Sequence, residues 1–435
     1  MKKRAAFHTL GCKVNTYETE AMKSQLKEHG YEIVSFSDAA DVYIINTCTV
    51  TNMADQKSRQ MLHKARKKNP DAVIAAVGCY AQAFKDELVK DHTADLIIGN
   101  NQKSRLYELL EEYENSKCLQ EAVCDLKKER TYEPMFLTST EDRTRAFLKI
   151  QDGCNQFCSY CLIPYARGRA RSRAMEDVLE EIRTLAAQGF KEVVLTGIHL
   201  SSYGVDLNEE KKPLLKEVIL AVAEIEGIER IRLGSLEPNV ITEEFIEPLA
   251  SCSKFCPHFH LSLQSGCDAT LKRMNRHYSA SEYYSKCELI RRYFEHPAIT
   301  TDVIAGFPQE TEEEFEETCA FVEKVGFAEM HVFKYSRRKG TKADTMEGQV
   351  PEQIKTQRSH RLLEIAARKQ QEYLSWYRNR QVEILTEDEV TYKGETWRCG
   401  HTKEYVKCLL KDCESNTIQT AQAFELTENH MLLTR

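Results

Sequence analysis

Three features are missing from this chain of 435 residues, and each absence excludes a class of protein. No run of about 18 apolar residues is present, so we expect no membrane span. The N-terminus passes from Met1-Lys2-Lys3-Arg4 through Ala5-Ala6-Phe7 into polar residues, which argues against a secretory signal and predicts a cytoplasmic location. The chain also lacks a net positive charge: its formal net charge is −7, so any nucleic-acid site must be a local basic patch.

What the chain does contain is cysteine, at 16 positions. A long chain without a signal sequence is not expected to use a disulfide framework. In a reducing cytosol, thiolates that lie together bind metal more often than they form disulfides. Most of the scattered cysteines are expected to be small apolar packing residues.

The first segment alternates strand, loop and helix patterns. Strands are predicted at residues 5–10, 42–46 and 73–77. One helix is predicted to begin at Asn15 as its N-cap, with Glu18 three residues later, and to end at Gly30. Such alternation predicts a parallel α/β domain, to which we assign residues 1–125.

Cys12, Cys48 and Cys79 each follow one of these three strands. The carboxyl ends of parallel strands meet at one edge of a sheet, so we expect the three thiols to lie together there. The alternative is three unrelated buried thiols. A shared edge position for all three favours a common site.

A polar stretch, residues 111–145, is predicted as a linker, and it contains Lys-Lys-Glu-Arg at 127–130 and Ser-Thr-Glu-Asp at 139–142. Over residues 140–370 six strands alternate with helices, which predicts a partial (β/α)6 barrel with its chemistry at the carboxyl ends of the strands. The strands are predicted at residues 146–150, 192–196, 230–233, 258–263, 299–305 and 329–335. Short strands in residues 373–435 predict a small β-barrel.

The strongest local signal is Cys154-Asn-Gln-Phe-Cys158-Ser-Tyr160-Cys161, which follows the first strand of the middle segment. Three thiolates can hold three irons of a [4Fe-4S] cluster and leave the fourth iron open to a reactant. A zinc site is the alternative, if a distant fourth ligand completes it.

This CxxxCxxC segment, with Tyr160 before its last cysteine, resembles the signature of the radical S-adenosylmethionine superfamily. The predicted barrel fits the same superfamily. The resemblance implies that the cluster made by Cys154, Cys158 and Cys161 binds S-adenosylmethionine through its amino and carboxylate groups. It also implies that an electron from the cluster cleaves the cofactor to a 5′-deoxyadenosyl radical.

The segments around the other three cysteines resemble the N-terminal domain of methylthiotransferases. They read Thr9-Leu-Gly-Cys12-Lys-Val-Asn15, Asn46-Thr-Cys48-Thr-Val and Val77-Gly-Cys79. The resemblance implies that Cys12, Cys48 and Cys79 hold a second [4Fe-4S] cluster, which carries the sulfur. The tRNA-modifying members of the family add the sulfur to C2 of an adenine. The adenine C2–H group is too weak an acid for a side-chain base to deprotonate, because pKa tuning spans only a few units, whereas a carbon radical can remove the hydrogen.

Further segments of this chain resemble the same family, and the resemblance implies which residues contact S-adenosylmethionine. The expected contact residues are Tyr160, Gly197, Glu237, Gln264 and Gly306. Glu237 is expected to bond the ribose and Gln264 to line the pocket. The two glycines lie at strand ends, where a missing side chain lets the backbone approach a ligand. The alternative is that all are ordinary turn or barrel residues.

The family modifies either the tRNA adenosine next to the anticodon or an aspartate of a ribosomal protein. The segment Gly11-Cys12-Lys13-Val14-Asn15 resembles the branch that acts on N6-threonylcarbamoyladenosine. The isopentenyl-adenosine branch usually reads Gly-Cys-Gln-Met-Asn, and the ribosomal-protein branch Gly-Cys-Ala-Lys-Asn. The expected partners are therefore the anticodon loop of tRNA, an electron donor and a sulfur source.

Arginines after the radical motif are the predicted RNA contacts. They are Arg167, Arg169, Arg171 and Arg173. Arginine clusters suit phosphate contacts, although some of these side chains are alternatively expected to brace the cluster or the cofactor carboxylate. The C-terminal β domain resembles the TRAM module, a small RNA-binding barrel. The remaining rival is a non-catalytic iron–sulfur or zinc RNA-binding protein.

Overall fold

A computed structural model describes residues 2–137 and 144–435. The charged residues 139–142 of the predicted linker and the predicted domain boundary at residue 140 lie outside the described residues. Among the described residues, no helix combines the length and the apolar content that a membrane crossing requires.

The N-terminal part is a six-stranded sheet in which every pairing is parallel. Its strands are β1 (Arg4–Thr9), β2 (Glu32–Val34), β3 (Val42–Thr47), β4 (Val73–Gly78), β5 (Leu96–Ile98) and β6 (Gln120–Ala122), in the order β2-β1-β3-β4-β5-β6. Its helices are α1 (Lys13–Glu28), α2 (Asn52–Lys68), α3 (Cys79–Ala83), α4 (Lys85–Asp91) and α5 (Leu106–Ser116). The predicted parallel α/β domain is confirmed.

Two details of this part differ from the prediction. Helix α1 begins at Lys13 with Cys12 at its N-cap, so Asn15 lies inside the first turn. The Asn15 amide instead donates to the carbonyls of Leu10 at 2.7 Å and Thr47 at 3.1 Å, which ties the helix to the strand ends. The first part of the predicted linker is also wrong, because α5 and β6 occupy it.

The middle part is an open barrel of six parallel strands with helices outside. Its six parallel strands are β7 (Arg145–Asp152), β9 (Glu192–Gly197), β10 (Arg230–Leu233), β11 (His258–His260), β12 (Ala298–Ala305) and β13 (Glu329–Lys334), and a short strand, β8 (Arg171–Ser172), pairs with β7. Its helices are α6 (Ile163–Ala166), α7 (Met175–Ala187), α8 (Leu215–Ala223), α9 (Glu243–Ala250), α10 (Asp268–Arg273), α11 (Ala280–Tyr293) and α12 (Glu312–Val325).

These strands form two sheets, β10-β9-β7-β8 and β11-β12-β13, in which only β8 runs antiparallel to its neighbour. Parallel bridges Ile231↔Phe255 and Leu236↔Leu261 connect the sheets. The partial (β/α)6 barrel is therefore confirmed. Helix α12 begins in a capping box between Thr311 and Glu314 and ends at the left-handed Gly326, as its sequence predicts.

The C-terminal part follows a long helix, α13 (Glu352–Ser375), so the predicted boundary near residue 370 falls inside that helix. Strands β14 (Gln381–Tyr392), β15 (Glu395–His401), β16 (Lys407–Leu410), β17 (Ile418–Leu426) and β18 (Leu432–Thr434) form a closed barrel in the order β14-β15-β16-β18-β17. The small β domain is confirmed.

Arginines on β10 join this domain to the open barrel. Side chains alternate along a strand, so Ile231 and Leu233 pack in the main core while Arg230 and Arg232 point to the other face. Arg230 donates to the carbonyl of His401 at 2.7 Å, and Arg232 donates to that of Lys403 at 2.7 Å. The C-terminal domain thus closes one end of the open barrel.

Candidate active site

The loops that carry Cys12, Cys48 and Cys79 meet at one edge of the N-terminal sheet. They follow the neighbouring strands β1, β3 and β4, which are parallel. Gly11 has a φ of +100°, and a Cβ atom there would lie 2.9 Å from the sulfur of Cys48. The Cys48 thiol therefore lies directly against the residue that precedes Cys12, and only glycine permits that approach.

The pKa values of Cys48 and Cys12 also depend on the neighbouring Cys79 thiol. Burial, followed by the neighbouring Cys79, raises the pKa of Cys48 to about 12. Desolvation raises the pKa of Cys12 as well, with Cys79 contributing and Arg167 opposing the shift. Cys12 is nevertheless accessible to solvent. A reactant can therefore approach the loop that carries Cys12.

Buried polar residues hold these loops in place. Asn46 donates to the carbonyl of Asn15 at 2.9 Å. The Thr47 hydroxyl donates to the carbonyl of Val77 at 2.6 Å and accepts from the amide of Tyr80 at 3.2 Å. These contacts link the ends of β3 and β4 with the first turns of α1 and α3. The positions of the cysteines are thereby fixed by neighbouring strands rather than by flexible loop residues.

The second trio occupies a single loop after β7. The amide of Gln156 donates to the sulfur of Cys154 at 3.4 Å, and the amide of Ile163 donates to that of Cys161 at 3.4 Å. Arg276 donates to the sulfur of Cys158 at 3.2 Å. Each thiol thus has one N–H donor, which stabilises a thiolate. Burial is the main cause that raises the pKa of Cys154 and of Cys161 to about 12.

An unusual backbone conformation shapes this loop. Phe157 has a φ of 49°, in the left-handed region that a bulky residue rarely adopts. Its ring packs edge-on against Tyr165, with centroids 5.9 Å apart, and lies 4.5 Å from the guanidinium of Arg169. Strained residues cluster at functional sites when the surrounding structure holds them.

A buried ion network connects the two cysteine loops. Glu18 on α1 is fully buried and accepts from Lys103 at 2.5 Å, from Lys149 at 2.8 Å and from Arg167 at 2.8 Å. Asp152 at the end of β7 pairs with Lys149 at 2.6 Å and with Arg167 at 3.1 Å. The network therefore couples the N-terminal sheet to the loop that follows Cys161.

The same network reaches the first cysteine trio. Arg167 donates to Asn15 Oδ1 at 2.7 Å, three residues after Cys12. Lys103 donates to Asn100 Oδ1 at 2.6 Å, and the amide of Asn100 donates to the Cys79 sulfur at 3.5 Å and to the carbonyl of Ala166 at 2.7 Å. A contact chain thus runs from Cys79 to the segment after Cys161.

Cations outnumber anions in this network. Glu18 and Asp152 supply the paired carboxylates, whereas Lys103, Lys149, Arg167 and Arg171 supply the cations. Arg167 Nε and two nitrogens of Arg171 are buried without a hydrogen-bond partner among the described residues. Buried charge of one sign requires compensation, and the cysteine sulfurs beside Arg167 can supply the missing negative charge.

The predicted RNA contacts divide into two groups. Arg167 and Arg171 are fully buried and Arg173 is 2% exposed, so the prediction that they bind RNA is wrong. They form the ion network instead, with Arg173 paired to Glu181. The alternative expectation was that some of these arginines have a bracing role. They are buried because β7 and α1 enclose the segment that carries them. Arg169 is exposed and stays a predicted RNA contact.

The expected cofactor contacts surround the second cysteine loop in part. Glu237 accepts twice from Arg276 at 2.7 Å, which places it beside the Cys158 sulfur. Tyr160 packs against Phe307 with ring centroids 6.4 Å apart. Gln264 is buried with a φ of 71° and bridges to Val303 through its backbone.

The two glycines have a different explanation from the expected one. A Cβ atom at Gly197 would lie 2.8 Å from Gln151 Oε1, and one at Gly306 would lie 2.4 Å from Lys355 Cγ. The space beside both residues is filled by side chains of this chain. Packing within the protein therefore suffices to require glycine there.

Several residues of this site carry no sequence signal. Arg276, Asn100 and Lys103 lie in unremarkable segments far from either cysteine motif, and Lys149 lies in the strand before Cys154 without a signal of its own. Only the tertiary structure brings them to the thiols. Glu18 was visible in the sequence, but as a helix-capping residue rather than as the centre of an ion network.

Family comparisons agree with both halves of this site. Residues 4–99 match the family described as "Uncharacterized protein family UPF0004". Residues 148–322 match the radical SAM superfamily. The first match contains Cys12, Cys48 and Cys79, and the second contains Cys154, Cys158 and Cys161.

Curated relatives cover nearly the whole chain. The chain is 43% identical over 411 residues to threonylcarbamoyladenosine tRNA methylthiotransferase MtaB of Bacillus subtilis (strain 168), which covers 94% of this chain and 90% of the relative. It is 42% identical over 403 residues to the protein of the same name in Aquifex aeolicus (strain VF5), covering 91% of this chain and 97% of the relative. It is 38% identical to the tRNA-2-methylthio-N(6)-dimethylallyladenosine synthase of Clostridium tetani (strain Massachusetts / E88), covering 88% of this chain and 84% of the relative.

Solved structures share the fold at low sequence identity. A radical S-adenosylmethionine methyltransferase, TsrM, from Kitasatospora setae superposes with a TM-score of 0.55 at 15% identity, covering 79% of this chain and 74% of that one. The cobalamin-dependent S-adenosylmethionine radical enzyme OxsB gives a TM-score of 0.53 at 11% identity, covering 95% of this chain and 65% of that one. With its relatives above 40% identity and its two trios of thiols, the chain belongs to the radical S-adenosylmethionine methylthiotransferase family.

Proposed function

We propose that this protein converts N6-threonylcarbamoyladenosine at position 37 of tRNA into its 2-methylthio derivative. Support comes from the relatives that carry the name threonylcarbamoyladenosine tRNA methylthiotransferase, at 38–43% identity. A [4Fe-4S] cluster and S-adenosylmethionine belong to the radical superfamily that residues 148–322 match. The substrate and the second cluster are part of the proposal.

The residues around Cys154, Cys158 and Cys161 fit the first cluster. Three thiols with N–H donors at 3.2–3.4 Å can hold three irons, and the Arg276 charge offsets the negative charge of such a cluster. A bound cluster of this kind supplies one electron to S-adenosylmethionine. Arg276 then has two tasks in the protein: it neutralises the Cys158 thiolate and it orients Glu237 beside it.

The residues around Cys12, Cys48 and Cys79 fit a second cluster of the same type. The observation that supports this is Arg167, whose charge acts on all three thiols and whose Nε has no hydrogen-bond partner among the described residues. An anionic cluster held by these thiols would supply the compensating charge. Asn100 and Arg167 would orient it through Cys79 and the Cys12 loop.

One observation carries the proposal: the buried network of Glu18, Arg167 and Asp152 connects the two cysteine loops through direct contacts. Sulfur transfer to a base requires the radical site and the sulfur site to act on the same carbon. A shared rigid network holds two such sites at a fixed separation. An electron donor and a sulfur source are the further partners that this reaction requires.

The domain roles follow from this arrangement. Residues 1–125 would supply the sulfur, residues 140–370 the radical chemistry, and residues 373–435 the RNA contact. Arg169, which is exposed beside the Cys154 loop, would contact the tRNA backbone near the anticodon.

The decisive experiment is nucleoside mass spectrometry of tRNA from cells with and without the gene. Loss of 2-methylthio-N6-threonylcarbamoyladenosine on deletion supports the proposal. Loss of the isopentenyl derivative instead assigns the protein to the other tRNA branch. Unchanged tRNA, with an altered ribosomal-protein aspartate, assigns it to the ribosomal branch.

Iron analysis tests the second cluster separately. Anaerobically purified wild-type protein is expected to contain about eight irons, as two cubane clusters require. The triple variant Cys12→Ala, Cys48→Ala, Cys79→Ala is expected to keep about four irons and to release 5′-deoxyadenosine without methylthiolation. A wild-type content near four after reconstitution would remove the second cluster from the proposal.

A further inference from the structure

Lys13 lies in a small aromatic site between the Cys12 loop and the C-terminal domain. It is the first residue of α1 and follows Cys12 directly. Its ammonium group lies 5.8 Å from the ring of Phe147 on β7 and 5.9 Å from the ring of Tyr405 in the loop between β15 and β16. All three parts of the protein thus contribute one side chain to this site.

Among the three cations near Tyr405, Lys13 is the one that has no carboxylate partner within the described residues. The guanidinium groups of Arg145 and Arg232 lie 4.9 Å and 4.6 Å from the Tyr405 ring. Both pair with Glu192, at 2.7 Å and 2.8 Å, and Arg145 also pairs with Glu387 at 2.7 Å. Lys13 forms no ion pair within the part of the chain that the structure describes. Its charge is therefore available to a ligand.

A buried histidine beside Tyr405 also has a ring nitrogen without a hydrogen-bond partner among the described residues. His258 is 8% exposed, and its Nδ1 atom has no hydrogen-bond partner among the described residues. Its ring lies 5.4 Å from that of Tyr405. Burial, together with the charges of Arg232 and Lys13, lowers the pKa of His258 well below its ordinary value, so the ring is neutral at physiological pH. This nitrogen is therefore free to exchange a hydrogen bond with a ligand.

We propose that Lys13 binds the threonyl carboxylate of the modified adenosine and thereby selects this substrate, an inference that rests on the proposed function. A single ammonium group without a carboxylate partner suits a carboxylate ligand, and the Phe147 ring beside it offers an apolar surface to the rest of that group. His258 Nδ1 offers a further polar contact. Cys12 directly precedes Lys13, so the start of α1 belongs to both this contact and the sulfur site.

The chemistry of the substrates makes the proposal specific. N6-threonylcarbamoyladenosine carries a carboxylate, whereas unmodified and isopentenyl adenosines carry no charge at this position. A backbone phosphate would also attract Lys13, but it would be present in every RNA. Selection through Lys13 therefore depends on the charge of the nucleoside and not on the length or sequence of the RNA.

The test compares two anticodon stem-loop RNAs that differ in one charge. One contains N6-threonylcarbamoyladenosine and the other contains its methyl ester, which is neutral. Their dissociation constants and their kcat/KM values for methylthiolation are measured with reconstituted wild-type protein, Lys13→Gln and Lys13→Arg. Lys27→Gln, an exposed position on the same helix, is the matched control. Iron content and 5′-deoxyadenosine release verify that each variant retains its clusters.

The wild type and Lys27→Gln are expected to prefer the acid to the ester on the order of 10–100-fold, as a charge-assisted contact provides. Lys13→Gln is expected to lose this preference in binding and in KM, and Lys13→Arg to retain most of it. An equal preference in wild type and Lys13→Gln would overturn the proposal. Equal weakening for both RNAs would instead assign Lys13 to a phosphate, which also overturns it.

Two further outcomes remain separable. If the wild type itself binds acid and ester equally, the proposal fails even where Lys13→Gln does not fold. If the wild type methylthiolates neither RNA but acts on an isopentenyl-adenosine stem-loop, the proposed function is wrong. The proposal about Lys13 is then overturned because it rests on that function.

Discussion

Replacement of Glu18 by glutamine is the sharpest test of the buried network. Glu18 is fully buried and accepts hydrogen bonds from Lys103, Lys149 and both terminal nitrogens of Arg167. Glutamine has the same shape but no charge, and its amide group would face one of these cations. Asp152 would then be the ionised partner that Lys149 and Arg167 retain in the network.

The expected cost follows from the loss of one partner in a buried ion pair. Such a loss destabilises a protein by about 3–5 kcal/mol, because it leaves a buried charge without compensation. With a denaturant slope of about 2 kcal/mol/M, the urea midpoint is expected to fall by about 1.5–2.5 M. Glu20→Gln is the control, since Glu20 pairs with Lys23 near the surface at 2.8 Å and such pairs contribute about 1 kcal/mol or less.

The pH dependence has a definite sign. Burial alone would raise the pKa of Glu18, but the charges of Arg167, Lys103 and Lys149 outweigh burial and hold the pKa well below its ordinary value. The stabilisation is therefore present above the unfolded value of about 4.3 and is lost as the pH falls toward the lower folded value. The difference between wild type and Glu18→Gln is expected to shrink in acid.

Urea unfolding of anaerobic protein, followed by circular dichroism from neutral pH to about pH 2, measures both effects. The first unfolding transition is the relevant one, because the chain has several domains. A midpoint for Glu18→Gln within about 0.5 M of the Glu20→Gln midpoint would refute the reasoning, since it would mean that the network contributes no more than a surface pair.

Three further substitutions test other parts of the structure. Gly306→Ala is expected to destabilise the protein by about 1–3 kcal/mol in urea titrations, since the φ of Gly306 is +74° and the new Cβ would lie 2.4 Å from Lys355 Cγ. Gly326→Ala is the control, because Gly326 has a φ of +65° but open space around it, and it is expected to lose about 1 kcal/mol of stability. Arg276→Gln is expected to slow 5′-deoxyadenosine release about 10–100-fold at equal iron content, because the Cys158 sulfur loses a charged donor, whereas Arg292→Gln at the surface should not. Arg232→Met is expected to cost about 3–5 kcal/mol and to expose residues 376–380 to protease, because Arg232 joins the C-terminal domain to the barrel. Lys411→Gln is expected to cost about 1 kcal/mol or less, because Lys411 pairs with Glu395 within the C-terminal domain.

Much of the fold could be read from periodicity. Alternating strand and helix patterns predicted the parallel N-terminal sheet, the partial barrel and the small terminal β domain, because each pattern reflects which side chains must be buried locally. The N-cap at Asn15 was predicted wrongly because the residue type suits a cap, while the strand ends beside it offered Asn15 better partners. The strand β6 was not predicted, and its residues were assigned to a linker, because β6 is short and largely polar.

The sequence by itself determined the two cysteine trios, since their spacing within a loop and their places after parallel strands are local properties. It could not determine which charges are buried. Arg167 and Arg171 have the composition of a surface patch, and only the packing of α1 against β7 encloses them. Lys13 and Tyr405 likewise come together only when the C-terminal barrel closes the open one. Burial and ion pairing depend on contacts between distant segments, and the order of residues along a chain does not contain those contacts explicitly.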